Sequence, residues 1–305
     1  MIELTAECFN ELCGEAPVRD QIGSLDTHRR AAMRKFWLCL AGGVLLAPLG
    51  WKALYALGWP NAAIVAAIVL VSIGFFTGYS ALARVGESLK HPVLEAIAAR
   101  AGLEYIATGF SPPVYPIAGK ALFGSGFSSE TFTDLFHGSD ADGHGYAVYE
   151  ASLQRRTGRN THIVFTGQIY ALQRRALTRG RTAILPDKGI LNFFKPASDM
   201  ERVRIGAPEA EFEDRFEVYS TAPAEATQLL FDTDLRRTLL DLRRQWGRVH
   251  VWLDPENVLV AIVGPNHFEP GSMFRSRAGE ERVRSMLDDV CASLAVLRDL
   301  KARLG

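Results

Sequence analysis

Cysteine is scarce in this 305-residue chain, with four in all at positions 8, 13, 39 and 291. That is too few for a disulfide scaffold of this length, and no Cys-x-x-Cys pair is present to begin a zinc site. An excess charge is missing too. Lys plus Arg and Asp plus Glu both number 34, so no overall basic field draws in nucleic acid, and a nucleic-acid partner is not expected. Catalytic signatures are also lacking. The chain has no Gly-x-Ser-x-Gly and no His-Glu-x-x-His, and Gly124-Ser125-Gly126 lacks the lysine of a phosphate loop. No catalytic residue or cofactor is therefore assigned, and any active site would have to be assembled by the fold from scattered residues.

Apolar residues, by contrast, are concentrated between Phe36 and Ala83. A first run covers Phe36 to Trp51 and can continue past Lys52 to Gly58; a second, Ala62 to Ala83, carries no charge. A helix crossing a bilayer needs about 20 mostly apolar residues. The second run meets this alone, and the first meets it if Lys52 lies at the interface with its stem snorkelling. Phe36 and Trp37 at one end of the first run, Trp51, Tyr55 and Trp59 at the other, and Tyr79 near the exit of the second sit where aromatic rings prefer the headgroup level. The expectation is a transmembrane helical hairpin over 36–83, preceded by a cytoplasmic segment (1–35) and followed by a cytoplasmic domain (84–305).

Positive charge sets the orientation. Arg29, Arg30, Arg34 and Lys35 precede the first span, Arg84 and Lys90 follow the second, and the connection holds only Lys52. Both termini are expected in the cytoplasm, with the protein in the cytoplasmic (inner) membrane. The acidic first 35 residues, without an apolar stretch near the start, do not read as a signal peptide. Gly74 and Gly78 form a small-xxx-small step in the second span, with Gly43 and Ala47 matching it in the first. Small residues let helix backbones approach closely. The step serves either packing inside the hairpin or a homodimer through Gly74 and Gly78.

Residues 91–305 are close to neutral, with 26 basic and 27 acidic side chains. A helix is expected from Leu89 to Ala101, restarting near Pro92, then a strand at Leu103–Ala107. The Gly- and Pro-punctuated stretch 108–145 reads as irregular chain with a short helix near Glu130–Phe136. Strands follow at Tyr146–Leu153, Thr161–Leu172, Arg181–Leu185, Glu201–Ile205 and Phe212–Tyr219. Helices follow at Ala222–Phe231, capped by Ser220 or Thr221, and at Leu235–Trp246. Val249–Leu253 and Val258–Val263 read as a hairpin across the turn Asp254-Pro255-Glu256-Asn257. A last helix, about Gly279–Arg303, sets Val283, Leu287, Val290, Leu294 and Leu297 on one seam, for packing on its own sheet or for a short coiled coil. The fold class is α+β: a mainly antiparallel sheet with helices on one side and a long terminal helix, or a curved barrel closed by that helix, as in pleckstrin-homology-like modules.

The stretch Phe212 to Leu230, FEDRFEVYSTAPAEATQLL, resembles the bacterial family known as domain of unknown function 3137. The family has acidic and aromatic residues before a Val-Tyr-Ser step, then a short helix with Glu-Ala. Val164 to Leu172, VFTGQIYAL, is similar to its F-x-G strand, and the likeness extends to the VLVAIV strand and His267-Phe268-Glu269. Two N-terminal spans fit the resemblance as well. It implies no established activity.

Two constellations merit attention for chemistry. His137, Asp140, Asp142 and His144 fall within eight residues and offer ligands for a divalent ion. Read as a calcium loop from Asp140, position twelve is Ala151, where a bidentate Glu is required, so a Gly/Asp turn is the preferred reading. Arg174, Arg175, Arg179 and Arg181 form a basic cluster that is either a solvated surface or a face for anionic headgroups. The expected function is a membrane-anchored binding or scaffolding module whose partner is the lipid bilayer. An accessory subunit of a membrane transport or envelope complex, and a membrane-associated enzyme, stand as alternatives.

Overall fold

Two helices of 41 residues dominate the first hundred positions of the computed structural model, which describes residues 6–173, 179–187, 199–204, 210–231 and 233–304. After a short helix α1 (Ala6–Gly14), α2 runs over Ala16–Ala56 and α3 over Pro60–Arg100. The connection between them is three residues long, with Gly58 at φ +80°, a value that suits glycine at a helix end. Pro60 opens α3, where its missing N–H costs nothing. At about 1.5 Å per residue each helix is about 60 Å long, twice the roughly 30 Å of a hydrocarbon core. The apolar windows of α2 and α3 are only 6% and 11% buried.

The expected restart near Pro92 does not occur, since α3 passes through it unbroken. A proline inside a helix costs about 3 kcal/mol. Leu89, Val93, Leu94 and Ile97, all fully buried around it, offset that cost through packing.

The chain divides into two compact units, Met1–Ile97 with Phe268–Asp289 and Ala98–His267 with Val290–Gly305. In the first, α2 and α3 meet through glycine. A Cβ on Gly74 would overlap the carbonyl oxygen of Cys39. One on Gly78 would lie 2.7 Å from the Cα of Phe36, and one on Gly43 would lie 2.7 Å from the carbonyl oxygen of Leu70. The small-xxx-small step is therefore used between α2 and α3, and α2 covers Gly74 and Gly78. The same unit contains the start of α8 (Gly279–Leu304), where Val283, Met286 and Leu287 are buried and the Arg284 guanidinium lies 4.3 Å from the Phe9 ring centroid.

The second unit is built on one nine-stranded sheet. Its strands are β1 (Glu104–Ile106), β2 (Ser129–Ser139), β3 (Gly145–Thr157), β4 (Asn160–Gln173), β5 (Thr182–Pro186), β6 (Glu201–Val203), β7 (Phe216–Ser220), β8 (Val249–Leu253) and β9 (Asn257–Val263). The order is β1-β2-β3-β4-β9-β8-β5-β7-β6, and every pairing is antiparallel. Among the described residues the two ends, β1 and β6, do not pair, so the described sheet is open and does not follow the barrel alternative.

Helices lie on both faces of this sheet, not on one. Helix α4 (Tyr115–Phe123) packs on β8 from one side, burying Leu122 and Phe123 with Tyr149, Phe165, Leu185 and Trp252. Helix α7 (Thr233–Trp246) also contacts β8, and α6 (Pro223–Phe231) lies on β6 and β7. The later part of α8 is joined to the other face by Gln168, whose side-chain amide donates to Ser293 Oγ at 2.8 Å, while Tyr170 OH donates to Gln168 Oε1 at 2.7 Å. Burial pushes the Tyr170 phenol well above its ordinary range. β8 is consequently buried along its whole length, although its sequence alternates.

The segment 130–136 is strand, not helix. Thr131 and Thr133 suit an extended chain, but the register slips between Thr133 and Phe136 and Asp134 sits at φ +57°. That bulge breaks the two-residue alternation that would have marked β2 in the sequence. Phe212 likewise belongs to a short helix, α5 (Ala210–Glu213), and β7 starts only at Phe216.

Candidate functional site

The antiparallel register brings four chain segments to one end of the sheet. Ser139 faces Gly145, Tyr146 faces Leu172, and Gln173 faces Asn257. Chain 107–114 and the start of α4 lie opposite, and between them is a cleft of about 570 Å³. Its lining mixes apolar side chains, among them Ile106, Phe110, Val114, Ile117 and Leu135, with polar ones, among them His137, Ser139, Tyr146, Gln173 and Glu256. That volume suits a small organic ligand, and the mixed lining suits one with apolar and polar parts.

The lining is fixed by its neighbours. Asp254 receives the backbone N–H groups of Glu256 and Asn257 at 2.9 and 2.8 Å and the Trp252 indole N–H at 2.9 Å, which locks the β8–β9 turn expected from the sequence. Gln173 accepts the Gly145 N–H at 3.0 Å. The buried Tyr149 donates its hydroxyl to the Pro113 carbonyl at 2.9 Å. Burial raises that phenol well above its usual value, so it stays a donor. Next to Pro113, Val114 holds φ +62°, an unfavourable conformation for a β-branched residue that costs on the order of 1–3 kcal/mol. His137 Nε2 is shut off from solvent, 3.5 Å from a Glu104 carboxylate oxygen without hydrogen-bond geometry.

Asp140, Asp142 and His144 place one ligand-type atom each within 4.8 Å of one another, and His137 stands outside that group. Asp140 is already engaged. Its Oδ1 accepts the backbone N–H groups of Asp142 and His144 at 3.1 and 2.8 Å, and its Oδ2 lies 3.3 Å from the Lys301 ammonium. These contacts, the His144 N–H foremost, hold the carboxyl below its ordinary range. The Lys301 ammonium also lies 4.5 Å from the Tyr146 ring centroid.

Of the arginine cluster, Arg174 and Arg175 lie outside the described residues. Arg181 is paired with Asp199, and its backbone N–H reaches Thr221 Oγ1 at 2.9 Å. Arg179 is exposed, with its backbone N–H on Glu225 at 2.9 Å.

The stretches that carried the family resemblance have structural roles. Ser220 of the Val-Tyr-Ser step accepts the Ala222 N–H at 3.0 Å as α6 begins, and its Oγ lies 3.0 Å from Thr182 Oγ1. Gly167 of the F-x-G strand sits at φ +152°, and any Cβ there would overlap the Ile262 carbonyl oxygen on β9. Residues 163–302 match the family described as "Protein of unknown function (DUF3137)". The match covers somewhat less than half of the chain. No curated protein matches the chain. A solved structure described as the mycobacterial trehalose monomycolate transport factor A shares 15% identity with it, over 67% of this chain and 93% of that one, at a TM-score of 0.33. A likeness at that level carries no argument about this chain.

The cleft was hidden in the sequence because its residues come from five separate segments. The nearest signal was the Pro112-Pro113-Pro116 cluster, which marks irregular chain but not what that chain covers. The Asp/Gly turn was visible because it is local.

Proposed function

We propose that this protein is a membrane-anchored binding module. The two spans hold it in the inner membrane of a bacterial cell with both termini cytoplasmic, and the cleft at the end of the sheet receives an amphipathic ligand. The observation that carries the reading is the presence, in one chain, of two lipid-length helices whose apolar windows are almost unburied and a sheet unit with a cleft of mixed apolar and polar lining. Leu45, Leu49, Ile68 and Phe76 are among the large apolar side chains left exposed on the helices. Soluble proteins rarely expose apolar patches larger than a few hundred Å², and acyl chains would cover these. The strained Val114 supports the second half of the proposal, since such outliers collect at binding sites. Asp140, Asp142 and His144 serve as a turn, because the Lys301 ammonium takes the position of a cation.

A photo-crosslinking residue placed at Ile117, on the cleft rim, tests the reading in cells that make the protein. Ile163 on β4 is as exposed and supplies the control. A discrete adduct at Ile117 and none at Ile163 is expected. No adduct at Ile117, or the same adducts at both positions, would contradict a ligand in the cleft.

A further inference from the structure

The loop between Glu269 and α8 is built more firmly than an exposed connection requires. The buried Arg282 side chain donates to the carbonyl oxygens of Pro270, Gly271, Ser272 and Arg275, at 2.7, 3.3, 3.1 and 2.7 Å. Met273 is buried, whereas Phe274 is 42% exposed. The Phe274 ring stands edge-on to Phe36 at 5.1 Å and stacks near Tyr79 at 6.4 Å. Phe36 begins the first apolar run and Tyr79 lies close to the end of the second, so both mark the cytoplasmic end of the proposed spans. Beyond Phe274, Arg275, Ser276 and Arg277 are exposed, and Arg29 reaches Ser276 Oγ at 3.2 Å. Apolar surface thus continues from the span ends onto the loop, and positive charge gathers beside it.

We propose that the loop 270–278 is a third membrane contact of this chain, with Phe274 among the upper acyl chains and Arg275 and Arg277 on the phosphates of anionic phospholipid. The proposal rests on the spanning reading of α2 and α3. An aromatic ring at the headgroup level next to arginines is the arrangement that interfacial anchors use. Arg282 acts as the positioning residue. By occupying four carbonyls it fixes the loop, so Phe274 meets the lipid without a large ordering cost.

The test uses the full chain, with its native cysteines replaced by Ser, in phosphatidylcholine vesicles containing phosphatidylglycerol. A bimane label goes on Phe274→Cys or, as a control for insertion, on Leu45→Cys in the middle of the first span. Lipids carrying a nitroxide on the upper acyl chain should quench the label at 274, and lipids with a deep nitroxide should quench the label at 45. Quenching at 45 without quenching at 274 overturns the loop contact and leaves the spans standing. Quenching at neither position overturns the spanning reading and the loop with it. In a second measurement the Arg275→Gln/Arg277→Gln chain, altered only at exposed positions, is compared with the wild type for the ratio of phosphatidylglycerol to phosphatidylcholine that co-purifies in mild detergent. Each arginine near an anionic surface is worth on the order of a fivefold preference, so the enrichment should fall by about that much or more. An unchanged ratio overturns the headgroup contact. If the phosphatidylglycerol preference is lost and a second copy of the chain also dissociates, the loop contacts protein and not lipid, and the proposal fails.

Discussion

Lys90 and Glu269 are 179 residues apart, and the Lys90 ammonium donates to Glu269 Oε1 at 2.6 Å. Lys90 is 4% exposed and lies on α3, in the charged segment just past the second apolar run. Glu269 closes the His-Phe-Glu step that belongs to the family resemblance. The pair joins the base of the hairpin to a distant part of the chain within the first unit, and gives that step a structural role.

The pair is asymmetric, since Glu269 keeps access to water and Lys90 does not. Water can replace a half-exposed carboxylate, and Lys90 has contacts besides this one, so losing Glu269 costs little. Glu269→Ala is expected to destabilise by about 1 kcal/mol, and Lys90→Met, which removes a buried cation from the groups it meets, by about 3 kcal/mol. Thermal unfolding of both variants in detergent checks the order. Equal losses, or a larger loss for Glu269→Ala, would contradict it.

The glycines of the hairpin differ in what surrounds them. Gly42→Ala should be nearly silent, because a Cβ there meets nothing within 4 Å. Gly74→Ala sets a methyl against the Cys39 carbonyl and should cost about 1–3 kcal/mol, the usual range for overpacking. Protease resistance of the hairpin and its unfolding temperature should fall for Gly74→Ala alone. Equal behaviour of the two variants would mean that the spans are not packed through Gly74.

The Asp140 carboxyl is held below its ordinary value by backbone N–H groups and Lys301, so its link to stability has a definite sign. Its contribution is complete above the unfolded carboxylate value of about 4 and is lost as pH falls through the depressed native value. The Asp140 side-chain carboxyl carbon, followed by NMR from neutral to strongly acidic pH, should titrate with its midpoint below the ordinary carboxylate value of about 4. The transition should be absent in Asp140→Asn. A midpoint at or above the ordinary carboxylate range would contradict the turn described here.

The sequence showed most plainly what depends on neighbours along the chain. The apolar runs became α2 and α3, the Asp254 turn joined β8 to β9, and Ser220 acts at the start of α6. The open sheet order was not readable, because pairing β5 with both β7 and β8 is a choice among distant partners. Two local departures misled the reading. The bulge at Asp134 hid β2, and the burial of Val93 and Leu94 let α3 run through Pro92. The cleft combined both difficulties, since Val114 in its αL conformation and Gln173 at the end of β4 carry no pattern of their own.

Orientation in a bilayer is the claim on which the proposed function depends most. A reporter enzyme active only outside the cytoplasm can be fused after Gly305, or inserted at Gly58 in the connection between the two helices. The account predicts strong activity for the fusion at Gly58 and none for the fusion after Gly305. Strong activity at the C-terminus, or none at either position, would contradict a two-span anchor with both termini in the cytoplasm.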